Sequence, residues 1–165
     1  PLVLGGHQER GFRSGTENVA GIVAMGKVCE IAQRDHKERV RHLTTLRDRL
    51  EHGIIERVPK VRRNGHKQLR LPTTANLSFE AIEGEALLIN LDLTGIAVST
   101  GSACSSGAVE PSHVLRAMRV PPQYIQGSIR FSVGRMNTVE DIDYVLEQLP
   151  PIVGRLRAMS PLWEG

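Results

Sequence analysis

Aromatic residues are scarce in this chain, with Phe, Tyr and Trp together making 4% of its 165 residues. Nucleic-acid modules stack bases on such rings and gather Lys and Arg into a patch. Here 21 basic residues are interspersed with 18 acidic ones for a net charge of +3, so no nucleic-acid partner is expected. Cysteine is equally scarce. Cys29 and Cys104 sit in very different surroundings and suggest no disulfide framework. No apolar run approaches the roughly 18 residues of a membrane span, and no stretch has the layout of a signal peptide. No membrane partner is expected, and the default location is the reducing cytoplasm. What is present, 40% hydrophobic and 24% charged residues, is ordinary for a domain with a sizeable core.

The stretch from Ser99 to Gly107 surrounds Cys104 with only Gly, Ser, Thr and Ala, residues that leave a sulfur accessible and a backbone mobile. It reads as a loop of about ten residues between two ordered elements, a length at which loops tend to be functional. From these residues alone, a free cysteine without a task and a working thiol are both open. A second Gly-rich stretch, Leu4 to Asn18, precedes a helix and carries Arg10, Arg13 and the run Ser14-Gly15-Thr16. It reads either as an anion cradle at a helix N-terminus or as a turn with an N-cap at Ser14 or Thr16. It matches neither the Walker A nor the dinucleotide pattern.

The periodicity predicts a helix over Val19 to Ala32, with Cys29 a small buried hydrophobe beside Val28 and Ile31. A capping-box-like restart follows at Asp35 to Glu38. The next helix places Val40, Leu43, Leu46, Leu50 and Ile54 on one face and a solvated charged surface on the other. Val58 to Pro72 reads as a basic connection with a turn at Asn64-Gly65. Leu77, Phe79 and Ala81 alternate with Asn76, Ser78 and Glu80, as in a half-buried strand. A short helix from Glu83 to Leu93 ends at Thr94-Gly95, and a buried strand, Ile96 to Ser99, leads to the cysteine. Ser112 is expected to cap a helix containing Val114, Leu115 and Met118. In Ser128 to Val133, Ile129, Phe131 and Val133 face a core while Arg130 lies opposite with Ser128 and Ser132. An arginine there calls for a carboxylate or phosphate partner, or for an internal salt bridge. Thr138 caps a final helix that Pro150-Pro151 should break. The fold class is α+β, a short sheet of three or so strands covered by helices.

Three separated segments, Gly5 to Asn18, Ser99 to Gly107 running on to Arg116, and Ser128 to Arg135, together resemble the NifS-type cysteine desulfurases, which depend on pyridoxal phosphate. The ending, Leu149 to Trp163, resembles the branch associated with nitrogen-fixation gene clusters. The resemblance covers essentially the whole chain. It implies the aspartate-aminotransferase-type fold in a homodimer, with residues 1–16 the end of the large cofactor domain and 17–165 the small C-terminal domain. It implies that Cys104 takes sulfur from L-cysteine as a persulfide, leaves L-alanine, and passes the sulfur to an iron–sulfur scaffold protein. There Cys104 would be at most a transient cluster ligand. It further implies that Arg130 grips the substrate carboxylate and that Thr16 hydrogen-bonds the cofactor phosphate of the other subunit.

Two positions depart from the family pattern. The cofactor-anchoring lysine and its neighbours would lie before Pro1, in an N-terminal half. Lys27, Lys37, Lys60 and Lys67 read as surface lysines, so this chain alone should be inactive. Arg119 stands at a left-handed capping position where the family usually has Gly. Two other readings stand beside it: a non-catalytic sulfur carrier or docking module using Cys104 without cofactor, and a cysteine hydrolase with His113 as base, for which no third orienting group is evident.

Overall fold

In the computed structural model, residues 1–100 and 112–163 are described. The helices are α1 (Val19–Arg57), α2 (Gly84–Asp92), α3 (His113–Ala117), α4 (Pro122–Ile125) and α5 (Val139–Met159). The strands are β1 (Val61–Asn64), β2 (Thr74–Phe79), β3 (Ser99–Thr100) and β4 (Ser128–Ser132). The chain divides into two units, Pro1–Glu38 and Arg39–Gly165. Among the described residues no helix is long and apolar enough to cross a membrane.

In the larger unit the strands pair antiparallel in the order β1-β2-β4-β3. Alternation along each strand sends Ala75, Leu77, Phe79, Ile129 and Phe131 to one face. There they meet Leu43, Leu46, Leu50 and Ile54 of α1, Leu87 and Leu91 of α2, and Ile142, Leu146, Leu149 and Val153 of α5. The helical residues recur at spacings of three and four, which puts each set on one stripe. Each fully buried Leu, Ile or Phe contributes about 1.5–3 kcal/mol. The core-facing residues predicted for β4 are found as expected. Gly127, just before β4, is required by close approach: a Cβ there would lie 2.0 Å from the Phe79 carbonyl oxygen.

Helix ends follow the sequence in part. Thr138 Oγ1 accepts from the Asp141 amide at 3.3 Å while an Asp141 carboxylate oxygen accepts from the Thr138 amide at 3.0 Å, the capping box expected there. Past α2, Gly95 adopts φ +80°, a left-handed conformation that ends the helix at the predicted place. Ser112, in contrast, precedes α3 without a side-chain capping bond.

Other expectations are corrected. Helix α1 has no restart at Asp35, because no Gly or Pro stands between Lys27 and His52 to interrupt it. Its charged face is not all solvated: Glu51 is fully buried, accepting from Arg63 at 2.6 Å and from Arg70 at 2.5 and 2.7 Å. That ion cluster also explains β1, which the basic connection concealed. Arg63 points to the core side and finds its countercharge on α1 instead of an apolar neighbour. The strand after α2 is shorter than predicted, Ser99–Thr100 only, with Ile96 buried but Ala97 exposed. Helix α5 continues through Pro150 and Pro151, held by burial of Leu149, Ile152 and Val153 on either side of the prolines. Arg157 of α5 is itself buried. It donates to the carbonyls of Pro59, Lys60 and Glu80 at 2.8–3.1 Å and lies 4.2 Å from the centre of the Trp163 ring. Cys29 is exposed, not buried, along with Ile22, Val23, Met25 and Val28 of the same stretch.

Candidate functional site

The sheet register places four polar residues in one transverse row. Asn64 of β1 lies opposite Asn76 of β2, Asn76 opposite Arg130 of β4, and Arg130 opposite Ser99 of β3. All four therefore project from the face opposite the core, and Ser78 and Ser128 flank the row on that face. Asn64 Nδ2 donates to Asn76 Oδ1 and to Ser78 Oγ, both at 2.7 Å. Ser128 Oγ donates to the same Asn76 Oδ1 at 3.1 Å, and Asn76 Nδ2 donates to the Ile129 carbonyl at 3.3 Å.

Arg130 differs from its neighbours in being exposed, with a single long bond among the described residues, from Nη2 to Ser99 Oγ at 3.3 Å. Among the described residues it forms no ion pair, so the internal salt bridge left open by the sequence is not found there. Its guanidinium opens onto a hollow of about 590 Å³ lined by Asn64, Asn76, Ser128, Leu115 and Met118. Thr100 and Ser112 line the same hollow. These two residues bound the stretch that contains Cys104, which itself lies outside the described residues. His113, the first residue of α3, is exposed. No group of three or more His, Cys, Asp and Glu that could hold a metal ion occurs among the described residues.

In the smaller unit, Val3 bridges to Arg13 and Ser14 Oγ donates to the Leu4 carbonyl at 2.9 Å, folding the Gly-rich stretch into a closed turn. Gln8 Oε1 accepts from the Gly15 amide at 3.2 Å, and Arg13 Nη1 donates to the carbonyls of Gly15 and Thr16 at 3.1 and 3.0 Å. The turn thus consumes Ser14 and Arg13 internally, and neither Ser14 nor Thr16 caps α1. Asn18 does so, its Oδ1 accepting from the Gly21 amide at 3.0 Å. Thr16 is exposed, and its hydroxyl takes no partner among the described residues. That leaves one free donor and acceptor, which fits a phosphate ligand but is far from a complete cofactor site. The four lysines are all exposed as expected, with Lys27 paired to Glu30 at 2.8 Å.

The sequence reading missed the amide–hydroxyl network, assigning Asn76 and Ser78 to an outward polar side. One signal was available: Asn is disfavoured in strands, so an Asn inside an otherwise good strand pattern asks for a specific partner.

A short antiparallel sheet with helices on its apolar face, and on its polar face a hollow onto which Arg130 opens, defines an α+β module. The chain belongs to the aminotransferase class-V family, matched over residues 5–145. It is 53% identical over 165 residues to a cysteine desulfurase of Gluconacetobacter diazotrophicus, covering 100% of this chain and 41% of the relative. It is 50% identical to the cysteine desulfurase NifS of Azotobacter vinelandii, with the same coverage. Among solved structures, a NifS-like protein superposes with a TM-score of 0.76 at 38% identity, covering 94% of this chain and 39% of the other. The resemblance drawn from three sequence segments is thus borne out at the level of family and fold. The chain spans about 41% of the length of these curated relatives.

Proposed function

We propose that this chain is the part of a cysteine desulfurase that binds the carboxylate of L-cysteine and accepts its sulfur. The observation that carries the reading is that Arg130 shares one hollow with Thr100 and Ser112, the two residues bounding the Cys104 stretch. A guanidinium fork suits a carboxylate bidentately, and a substrate anchored there would lie beside Thr100 and Ser112, between which Cys104 falls in the sequence. The names of the relatives, cysteine desulfurase and NifS, support the same chemistry.

In this mechanism Arg130 orients the substrate by its carboxylate. Cys104, as thiolate, attacks the substrate sulfur. The new S–S bond forms as the substrate Cβ–S bond breaks, and the carbon fragment takes up a proton to leave as L-alanine. The persulfide on Cys104 then passes its outer sulfur to an acceptor, which we take to be an iron–sulfur scaffold protein, with nitrogen-fixation clusters one destination. Pyridoxal phosphate, when bound, supplies the electron sink for this cleavage. Its anchoring lysine is not among Lys27, Lys37, Lys60 and Lys67, none of which is enclosed. Thr16, with its unpartnered hydroxyl, would hold the phosphate of the cofactor in the second subunit of a homodimer. Residues 1–16 would then close the large domain and 17–165 form the small one, in a cytoplasmic enzyme.

The test uses the complete protein given sulfur-labelled L-cysteine, followed by non-reducing peptide mass spectrometry. Extra sulfur should appear on the peptide holding Cys104 and not on that holding Cys29, although Cys29 is exposed. Cys104→Ala should fold normally, carry no label there and lose at least about a thousandfold in alanine formation. Label on Cys29, or alanine formed at the normal rate without Cys104, would overturn the reading.

A further inference from the structure

We infer that Asn64 is a positioning residue for Arg130: by occupying the carbonyl oxygen of Asn76, it keeps the guanidinium free for a ligand carboxylate. The inference rests on the reading of Arg130 proposed above and adds a residue to it.

Arg130 has two neighbours in the transverse row, Asn76 and Ser99. Directly opposed residues on adjacent strands are about 5 Å apart at Cβ, well within reach of an arginine. The amide oxygen of Asn76 is thus a ready intramolecular acceptor for the guanidinium, and an arginine captured there would hold a carboxylate less well. That capture is not observed. Asn76 Oδ1 receives Asn64 Nδ2 at 2.7 Å and Ser128 Oγ at 3.1 Å, which uses both of its lone pairs. Among the described residues Arg130 is left with only the 3.3 Å bond to Ser99.

The amide orientations are dictated by chemistry. Asn76 Nδ2 faces the Ile129 carbonyl, which only accepts, so Oδ1 must lie on the side of Asn64. Asn64 must then present its NH2 group to the two oxygens of Asn76 and Ser78. The consequence is that Asn64 Oδ1 is buried without a partner among the described residues. A buried amide with an unmatched oxygen is a poor choice for stability. Its worth lies in the donor it aims at Asn76.

The experiment compares steady-state kinetics with L-cysteine for the complete enzyme and four variants: Asn64→Leu, Asn64→Ala, Asn64→Leu/Asn76→Leu, and Arg130→Ala. Losing the Asn64 donor frees Asn76 Oδ1 to compete for Arg130, so either single Asn64 variant should raise KM roughly three- to tenfold with kcat unchanged. Removing the competing acceptor as well should return KM towards the wild-type value, a non-additive rescue that a merely structural role would not give. A crystal structure of whichever Asn64 variant folds should place an Arg130 Nη within hydrogen-bond distance of Asn76 Oδ1. If Arg130→Ala itself leaves KM unaltered, the reading of Arg130 fails and the inference with it. If Arg130→Ala raises KM but the Asn64 variants do not, or if the double variant is as impaired as the single or worse, the inference alone is overturned.

Discussion

The two faces of the sheet are made from the same strands and do different things. On one face Leu77, Phe79, Ile129 and Phe131 close against three helices, and the contacts are numerous and apolar. On the other, Asn64, Asn76 and Ser128 form a small hydrogen-bonded network beside an exposed Arg130 over an open hollow. Because alternate residues of β4 serve opposite faces, holding the fold and the ligand role proposed for Arg130 fall to neighbouring positions without sharing a side chain. The two tasks should therefore be separable by substitution.

The largest effect on stability is expected from the core face. Phe79 is completely enclosed, so Phe79→Ala should cost about 3–5 kcal/mol, read by urea unfolding. In the fraction that remains folded, KM for L-cysteine should be unchanged. A KM rise like that of Arg130→Ala would break the separation.

Next comes Glu51, the one buried carboxylate among the described residues. Burial alone would push its carboxyl up, but hydrogen bonds from Arg70 and Arg63 and their charges outweigh this and hold it below the usual range. Glu51→Gln leaves two arginines without a countercharge and should cost about 3 kcal/mol. A lowered folded-state value means that this stabilisation is fully present above the ordinary Glu value of about 4.3. It is lost as pH falls through the lower folded value. Wild-type stability should therefore drop across that acid window, and the Gln variant should show a shallower drop; parallel curves would rule out the assignment.

What could be read in the sequence divides along the same line. Leu43, Leu46, Leu50 and Ile54, and the alternation of Ile129, Phe131 and Val133, announce the core face because burial imposes a period. Thr138 with Asp141, and Gly95 after α2, announce helix ends because local bonds need those residues. Strand β1 was hidden because Arg63 meets its countercharge on α1, and no local pattern encodes a partner 12 residues away. Asn76, Ser78 and Ser128 were assigned to the polar face, but period says which face a residue takes and not what waits there. Their network exists only once three strands come into register. Pro150-Pro151 misled for a related reason: the local cost is real, and packing on both sides of the prolines outweighs it. Arg130 was legible as unusual, while the residues that leave it unpaired were not.

On the polar face, Arg130→Lys replaces a planar fork by a point charge. Stability should stay within about 0.5 kcal/mol, since the residue is exposed and weakly tied. KM for L-cysteine should rise roughly tenfold, as expected when one arm of a bidentate bond is lost. Equal KM for Lys and Arg would mean that the hollow recognises charge without geometry.

The smallest effect concerns Arg119, at the end of α3 and near the hollow that Leu115 and Met118 line. The Arg119 amide donates to the Arg116 carbonyl at 2.9 Å and the Val120 amide to the Leu115 carbonyl at 3.1 Å. Those bonds form a Schellman motif, completed by the burial of both Val120 and Leu115. The motif requires a left-handed residue between them, and Arg119 supplies it at φ +53°. A Cβ in that conformation is strained by about 1 kcal/mol, whereas Gly has none. Arg119→Gly should therefore stabilise the protein by about 0.5–1 kcal/mol, part of the relief being offset by the freer unfolded chain. In thermal unfolding that is a rise of about 1–4 °C for a domain of this size. Arg119→Ala keeps the Cβ and should give no such gain. If Ala stabilised as much as Gly, the charge or length of the arginine would be the cause, and the backbone argument would fall. KM should not move in either variant, because the substitution relaxes an element beside the hollow without touching Arg130 or the row that holds it.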